Sequence, residues 1–183
     1  LVQNCEGKPY NTGYFNHFVT KKQKITNNER EDLAIASIAI RYAQSNSIGI
    51  AYKGQLIGIG SGQQNRLDCV RLACDKAFLW LMRNNTEVKG LFNEYVKENE
   101  IQFVSNQDRL SCLYFFIRER LDETVRKRLR REITGLSLSS DGFIPFPDNI
   151  AQANMFGVTQ IANPGGSNND AVVIRECDKH GIA

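Results

Sequence analysis

The stretch that most limits what this chain can fold into is SIGIAYKGQLIGIGSG, residues 47–62. Two short apolar runs, Ile48–Tyr52 and 55–59, stand on either side of Lys53 and Gly54. A two-residue link between antiparallel strands needs positive φ, which Gly54 adopts without steric cost. The spacing therefore predicts a β-hairpin. A polar turn, SGQQNR, follows, and then RLDCVRLACDKAFLWLMR. There Leu67, Val70, Cys74, Ala77, Phe78 and Leu81 recur at helical spacing. Arg71 and Asp75 fall four apart, the spacing of an intrahelical ion pair. A hairpin that feeds straight into a helix with one apolar face has to bury sheet against helix.

The rest of the chain extends that pattern. Upstream, NEREDLAIASIAIRYAQS reads as a helix capped by Asn28 with Glu31. Its expected apolar face is Ile35, Ile38, Ala39 and Tyr42, widened by Leu33, Ser37 and Ile40. Downstream, residues 87–98 read as a helix with Val88, Leu91, Phe92 and Tyr95 on one face. IQFV (101–104) reads as a short strand, and 107–133 as one or two helices. LSLSS reads as a strand, NIAQANMFG as a helix ended by Gly157, VTQIA as a strand and NNDAVVIRECDKHG as a helix ended by Gly181. Alternating strands and helices predict an α/β fold, a layered mixed sheet with helices on both faces. Residues 1–27 are polar and read as a tail or connection. Residues 28–183 read as the folded unit, with a helical insertion at about 86–135.

Composition closes several function classes. The chain is 42% hydrophobic and 23% charged, as a globular domain is. No apolar run approaches the ~20 residues of a spanning helix, and the opening lacks a basic start and an apolar core of a signal peptide. No membrane partner is expected. A Leu at position 1, and CDKHGIA at the end handing over toward another strand, read as a piece of a longer protein. The five cysteines (Cys5, Cys69, Cys74, Cys112 and Cys177) are odd in number and form no CxxC. That fits a reducing, cytoplasmic setting better than a disulfide framework. His17 and His180 have no metal-ligand spacing to a cysteine, so no zinc is expected. The net charge of +3 is carried by residues 117–132, with seven Lys/Arg and four Asp/Glu. Its RKRLRR run is the one candidate for RNA or another polyanion. Leu121, Val125 and Leu129 recur every four residues opposite it, which favours a solvated helix face, and no aromatic residue interleaves the run. No nucleic-acid partner is expected.

Ligands of layered α/β sheets gather outside the C-terminal strand ends. Three loops belong there: SGQQNR, SDGFIPFPDN and NPGGS. GIGSG lacks the full glycine pattern of a phosphate loop and reads first as a bulged strand end. Yet it opens a helix whose free N–H groups favour anions, and Arg66 sits there against the helix dipole, a placement that an anion would explain. NPGGS reads as a turn capped by Ser167, Asn168 or Asn169. In SDGFIPFPDN, Pro145 and Pro147 fix φ on both sides of Phe146. Phe143, Ile144 and Phe146 cannot all be core in so short a loop. Either the aromatics wall a flat ligand that Asp148 or Asn149 hydrogen-bonds, or they plug the sheet end while Asp148–Asn149 caps a helix. Asp141 reads as a structural acid or cation ligand. No nucleophile–His–acid set stands out.

Three segments together, RYAQSNSIGIAYKGQLIGIGSGQQNRLDCVRLACDKA, LSSDGFIPFPDNI and GVTQIANPGGSNNDAVVIRECDKHGI, resemble the AICAR transformylase/IMP cyclohydrolase family. In order and spacing they look like the C-terminal part of its transformylase domain, over about residues 28–183. The resemblance implies a cytidine-deaminase-like fold without zinc. It implies formyl transfer from 10-formyltetrahydrofolate to the 5-amino group of AICAR, giving FAICAR, within a bifunctional enzyme that also carries IMP cyclohydrolase. By the same resemblance Asn46 holds the reacting groups in place. Arg66, Leu67, Phe143, Pro145, Phe146, Asp148 and Asn149 contact AICAR and folate, and Asp141 lies beside a potassium ion. A homodimer is implied as well. The chain departs from the family pattern at Gly142 and Pro147, where the family often has Ala and Arg. The family's Lys-His pair is missing from its usual context. Lys179-His180 ends a helix and is not assigned that role. The expectation is that these 183 residues alone do not turn over.

Overall fold

A computed structural model describes residues 12–183. Cys5 and the first part of the expected polar tail lie outside the described residues. After a 3-10 turn at Thr12–Asn16 come α1 (Asn27–Arg41), β1 (Ile48–Tyr52), β2 (Gln55–Gly60), α2 (Arg66–Asn84), α3 (Thr86–Glu98) and α4 (Asn106–Phe115). A π-helical turn, Phe116–Arg120, leads to α5 (Glu123–Glu132), β3 (Leu136–Ser140), α6 (Pro147–Met155), β4 (Val158–Ala162) and α7 (Asp170–His180).

The four strands form one mixed sheet in the order β2-β1-β3-β4. β1 runs antiparallel to β2 and to β3, and β3 runs parallel to β4. The hairpin is the expected one. Lys53 and Gly54 both hold positive φ, +50° and +78°, the pair of values a mirror-image two-residue turn needs. Buried Asp32 reaches across from α1 and accepts the Lys53 and Gly54 N–H groups at 3.0 and 2.7 Å.

Helices cover both faces. On one face Ile48, Ile50, Ile57, Leu136 and Leu138 meet α2 at Val70, Ala73, Ala77 and Phe78. On the other, α1 comes close because the sheet offers glycine and serine. A Cβ on Gly49 would lie 2.9 Å from the Ala36 carbonyl. Ser139 donates to the Leu33 carbonyl at 3.1 Å and accepts from Ser37 at 2.9 Å. This corrects the expected face of α1 in part: Leu33, Ser37 and Ile40 are buried as expected, while Ile38 and Tyr42 are exposed. Asp32 and Ala36, which an apolar count passes over, complete the buried face of α1. Its cap is also shifted: Thr26 and Glu29 form the capping box, not Asn28 and Glu31.

Residues 101–104 form no strand. α3 ends at Glu98 with Asn99 as its cap, Glu100 turns with φ +51°, and Ile101 N–H bonds back to the Val96 carbonyl at 3.0 Å. Phe103 then packs on Phe92. Arg71 pairs with Asp68 at 3.4 Å rather than with Asp75. In the described part of the polar segment, Lys21 N–H bonds to Asp178 at 2.6 Å and Lys22 Nζ to the Thr159 carbonyl at 2.9 Å. Residues 12–26 therefore lie against the folded unit.

Candidate functional site

Strand direction gathers the expected loops. Ile48 pairs with Gly60 and with Ser140, and Ser139 pairs with Ala162. The C-terminal ends of β2, β3 and β4 thus share one end of the sheet with the start of β1. Loops 42–47, 61–65, 141–146 and 163–169 converge there.

Asp141 is the hub. Its Oδ1 accepts the Ser47 N–H at 2.9 Å and forms an ion pair with Arg66. Its own N–H donates to the Ser47 carbonyl at 3.2 Å. Arg66 Nη1 reaches that same carbonyl at 3.4 Å. Both side chains are mostly buried, 9% and 18% exposed. Burial opposes ionisation of Asp141, but hydrogen bonds from the Ser45 side chain, the Ser47 N–H and Arg66 outweigh it and hold the carboxyl below its ordinary value of 3.8. Asn46 is fixed beside this pair. Its Nδ2 donates to the Gln63 carbonyl at 2.9 Å, and its carbonyl accepts from Cys69 Sγ at 3.1 Å. The Gly62 N–H bonds to the Gln44 carbonyl at 2.8 Å, so two loops are stitched together around Asn46. Leu67 is half-buried in the first turn of α2.

The aromatic loop divides its work. Ile144 is buried with Ile150, Val173, Cys177 and Ile182. Phe143 and Phe146 stay 48% and 56% exposed. Asn169 Nδ2 pins the loop by donating to the Pro145 carbonyl at 2.8 Å. The cap of α6 differs from expectation. Phe146 holds the cap position, Pro147 opens the helix, and Asp148 lies exposed in the first turn. Proline without an N–H suits that first position. Asn149 is buried; its Nδ2 donates to Asp148 at 2.8 Å and to the Phe146 carbonyl at 3.2 Å, and its Oδ1 has no partner. In the NPGGS turn, the Asp170 carboxylate accepts the Gly166 and Ser167 N–H groups at 2.8 and 3.2 Å. Asn169 holds the cap position of α7 without a side-chain cap bond, but Ser167 Oγ accepts the Asn169 N–H at 3.1 Å, so Ser167 and Asp170 close the turn together.

An open cleft of about 1290 Å³ begins at Ser45, Ser140 and Asp141 and runs past Asn163–Gly166. Asn46, Arg66, Phe143 and Phe146 are not among its lining residues; Asp141 joins the two regions. The cleft's far wall is Tyr14, Phe15 and Phe18. Sequence reasoning placed that segment in a polar tail. The aromatic cluster in GYFNHF was the signal that could have found it.

The remaining candidates are engaged elsewhere. Lys179 and His180 both contact Glu176, at 3.0 and 2.9 Å. In the basic run, Arg126 donates to the Ile117 and Arg118 carbonyls, Arg128 pairs with Glu87 and Glu132, and Arg130 lies 4.5 Å from the Phe156 ring centre. Leu121 and Leu129 are buried and Val125 half-buried behind them; Lys127, Arg128 and Arg131 are exposed as the solvated-face reading requires, whereas Arg126 and Arg130 turn inward. Among the described residues no group of three or more His, Cys, Asp or Glu side chains could hold a metal. A potassium ion fits Asp141 poorly. The carboxylate oxygen is already in contact with a guanidinium, and a second cation there would be repelled by the first. No helix among the described residues is long and apolar enough to cross a membrane.

Residues 1–76 match the AICARFT/IMPCHase bienzyme family. The bifunctional purine biosynthesis protein PurH of Synechococcus sp. (strain CC9902) is 30% identical over 165 residues, 90% of this chain and 22% of the relative. PurH of Sorangium cellulosum (strain So ce56) is 31% identical over 165 residues, again 90% of this chain and 22% of the relative. PurH of Synechococcus sp. (strain CC9311) is 26% identical over all 183 residues, 24% of its own length. The chain thus spans less than a quarter of the length of the curated relatives it matches.

Proposed function

We propose, from the likeness of residues 1–76 to the AICARFT/IMPCHase bienzyme family and of 90% of the chain to PurH proteins, that the chain supplies part of the transformylase site of a purine-biosynthetic enzyme. The reaction is formyl transfer from 10-formyltetrahydrofolate to the 5-amino group of AICAR. The amine nitrogen bonds to the formyl carbon and gives up a proton, and the folate nitrogen that held the formyl group takes one. The fold belongs, on this reading, with the cytidine-deaminase-like sheets, and the enzyme works in the cytoplasm.

One observation carries the reading. Two half-exposed phenylalanines flank a buried isoleucine on a proline-stiffened loop, at the sheet end that also holds Asn46 and Arg66. Exposed aromatic faces on a rigid loop suit flat heterocycles. Phe143, Pro145 and Phe146 form the wall, and exposed Asp148 offers polar atoms beside it, while Asn149, expected to do the same, is buried and braces Asp148 from behind. Asn46, tied to the Gln63 carbonyl, holds the reacting groups in line, the alignment that a poor nucleophile needs. Lys179-His180 is spent on Glu176, so proton management falls to residues beyond this site, and the 183 residues alone bind without turning over.

Calorimetric titration of AICAR and of a folate into the 183-residue protein tests the reading. Binding of both, weakened in Asn46→Ala and Phe146→Ala, supports it. Binding of an RNA oligomer instead, lost when Arg126, Lys127, Arg128, Arg130 and Arg131 are neutralised, would replace it with a polyanion-binding role.

A further inference from the structure

We propose that Asp141 is a positioning residue whose counter-ion is the Arg66 guanidinium rather than a bound alkali cation, and that it sets the geometry of the site through Arg66 and the 45–47 loop. The inference rests on the transformylase reading for its ligand, but not for its counter-ion. Arg66 is the first residue of α2, the helix end whose dipole disfavours a cation. Its guanidinium nevertheless turns inward and is nearly buried on Asp141. Gly142 makes the room: a Cβ there would lie 2.8 Å from Arg66 Nη2.

The other contacts of Asp141 all grip one loop. The carboxylate takes the Ser47 N–H and the Ser45 side chain, and the Asp141 N–H takes the Ser47 carbonyl. Ser45 and Ser47 bracket Asn46, whose side chain is fixed on the Gln63 carbonyl three residues before Arg66. The contacts close a ring, Asp141 to Ser47 to Asn46 to Gln63 to Arg66 and back. An arginine in that ring is a covalently attached cation, so a dissolved one has no vacancy of charge to fill.

The test pairs two readouts on the 183-residue protein. Thermal melts in KCl, NaCl and choline chloride at equal ionic strength address the counter-ion. The midpoints agree in all three salts if Arg66 is the cation. A rise specific to KCl that disappears in Asp141→Asn overturns the proposal. Titration with AICAR addresses positioning. Asp141→Asn weakens binding about tenfold, and in an Arg66→Met background it adds no further loss, because both act through one contact. Independent, multiplying losses, or wild-type affinity in Asp141→Asn, overturn it. If Asp141→Asn does not fold, the wild-type salt melts and titration of Arg66→Met alone still decide: a KCl-specific rise in the wild type, or wild-type affinity in Arg66→Met, overturns the proposal. Failure of the wild type to bind AICAR refutes the transformylase reading, and the salt melts still decide the counter-ion.

Discussion

Phe143 and Phe146 leave about half their surface in solvent while Ile144 between them is buried. Truncating an exposed ring removes little packing. Phe146→Ala should change folding stability by no more than about 0.5 kcal/mol while costing about 1 kcal/mol of folate affinity, roughly fivefold in Kd. Denaturant melts and titration separate the two effects. Asp141 and Asp32 make opposite contributions to the pH dependence of stability. Asp141 sits below its ordinary value in the fold, so its contribution is complete above 3.8 and disappears as pH falls through the depressed folded value. The gap in stability between wild type and Asp141→Asn should therefore close on acidification. Burial raises Asp32, against the pull of the Gly54 and Lys53 N–H groups. Its folded state favours the proton, so its term weakens the fold as pH rises from 3.8 through the raised value. The stability differences between wild type and Asp141→Asn, and between wild type and Asp32→Asn, followed by acid titration, should slope in opposite directions with pH.

At the scale of elements, glycine decides how closely helices approach the sheet. A Cβ on Gly58 would collide with the Ala73 carbonyl of α2, a backbone atom that cannot swing away. Gly58→Ala should cost about 2 kcal/mol or more. Gly90, inside α3, meets nothing within 4 Å, and Gly90→Ala should stabilise by about 0.5–1 kcal/mol through helix propensity. Urea unfolding of both variants checks the pair. The same contrast explains what was legible in the sequence. The hairpin was readable because Lys53-Gly54 states its turn type locally. The α2 face was readable at Val70, Cys74, Ala77 and Phe78, but Leu67 and Leu81 stay half-buried, and small Cys69 and Ala73, against which Gly60 and Gly58 pack, were missed. The α1 face was legible only at Leu33, Ser37 and Ile40; Ala36 was missed because it docks on Gly49, and Asp32 because it is buried to hold a turn more than twenty residues away. The strand expected at 101–104 failed for a local reason: the chain reverses at Glu100 and spends Phe103 on Phe92.

For the whole molecule, the convergence of three loops at one sheet end followed from strand direction alone. The cleft wall at Tyr14, Phe15 and Phe18 did not, since which surface a polar segment covers is a tertiary matter. The basic helix is tied inward: Arg130 lies between Phe78 and Phe156, and Arg126 caps the carbonyls at the π-helical turn. The account's central claim is that the sheet end, not the basic helix, meets the ligand. The most direct measurement is an amide-resolved NMR titration of the 183-residue protein with AICAR and a folate. The account predicts shifts concentrated at Asn46, Arg66 and residues 142–149, with 117–132 unmoved. Shifts confined to 117–132, or none at the sheet end at saturating ligand, would contradict it.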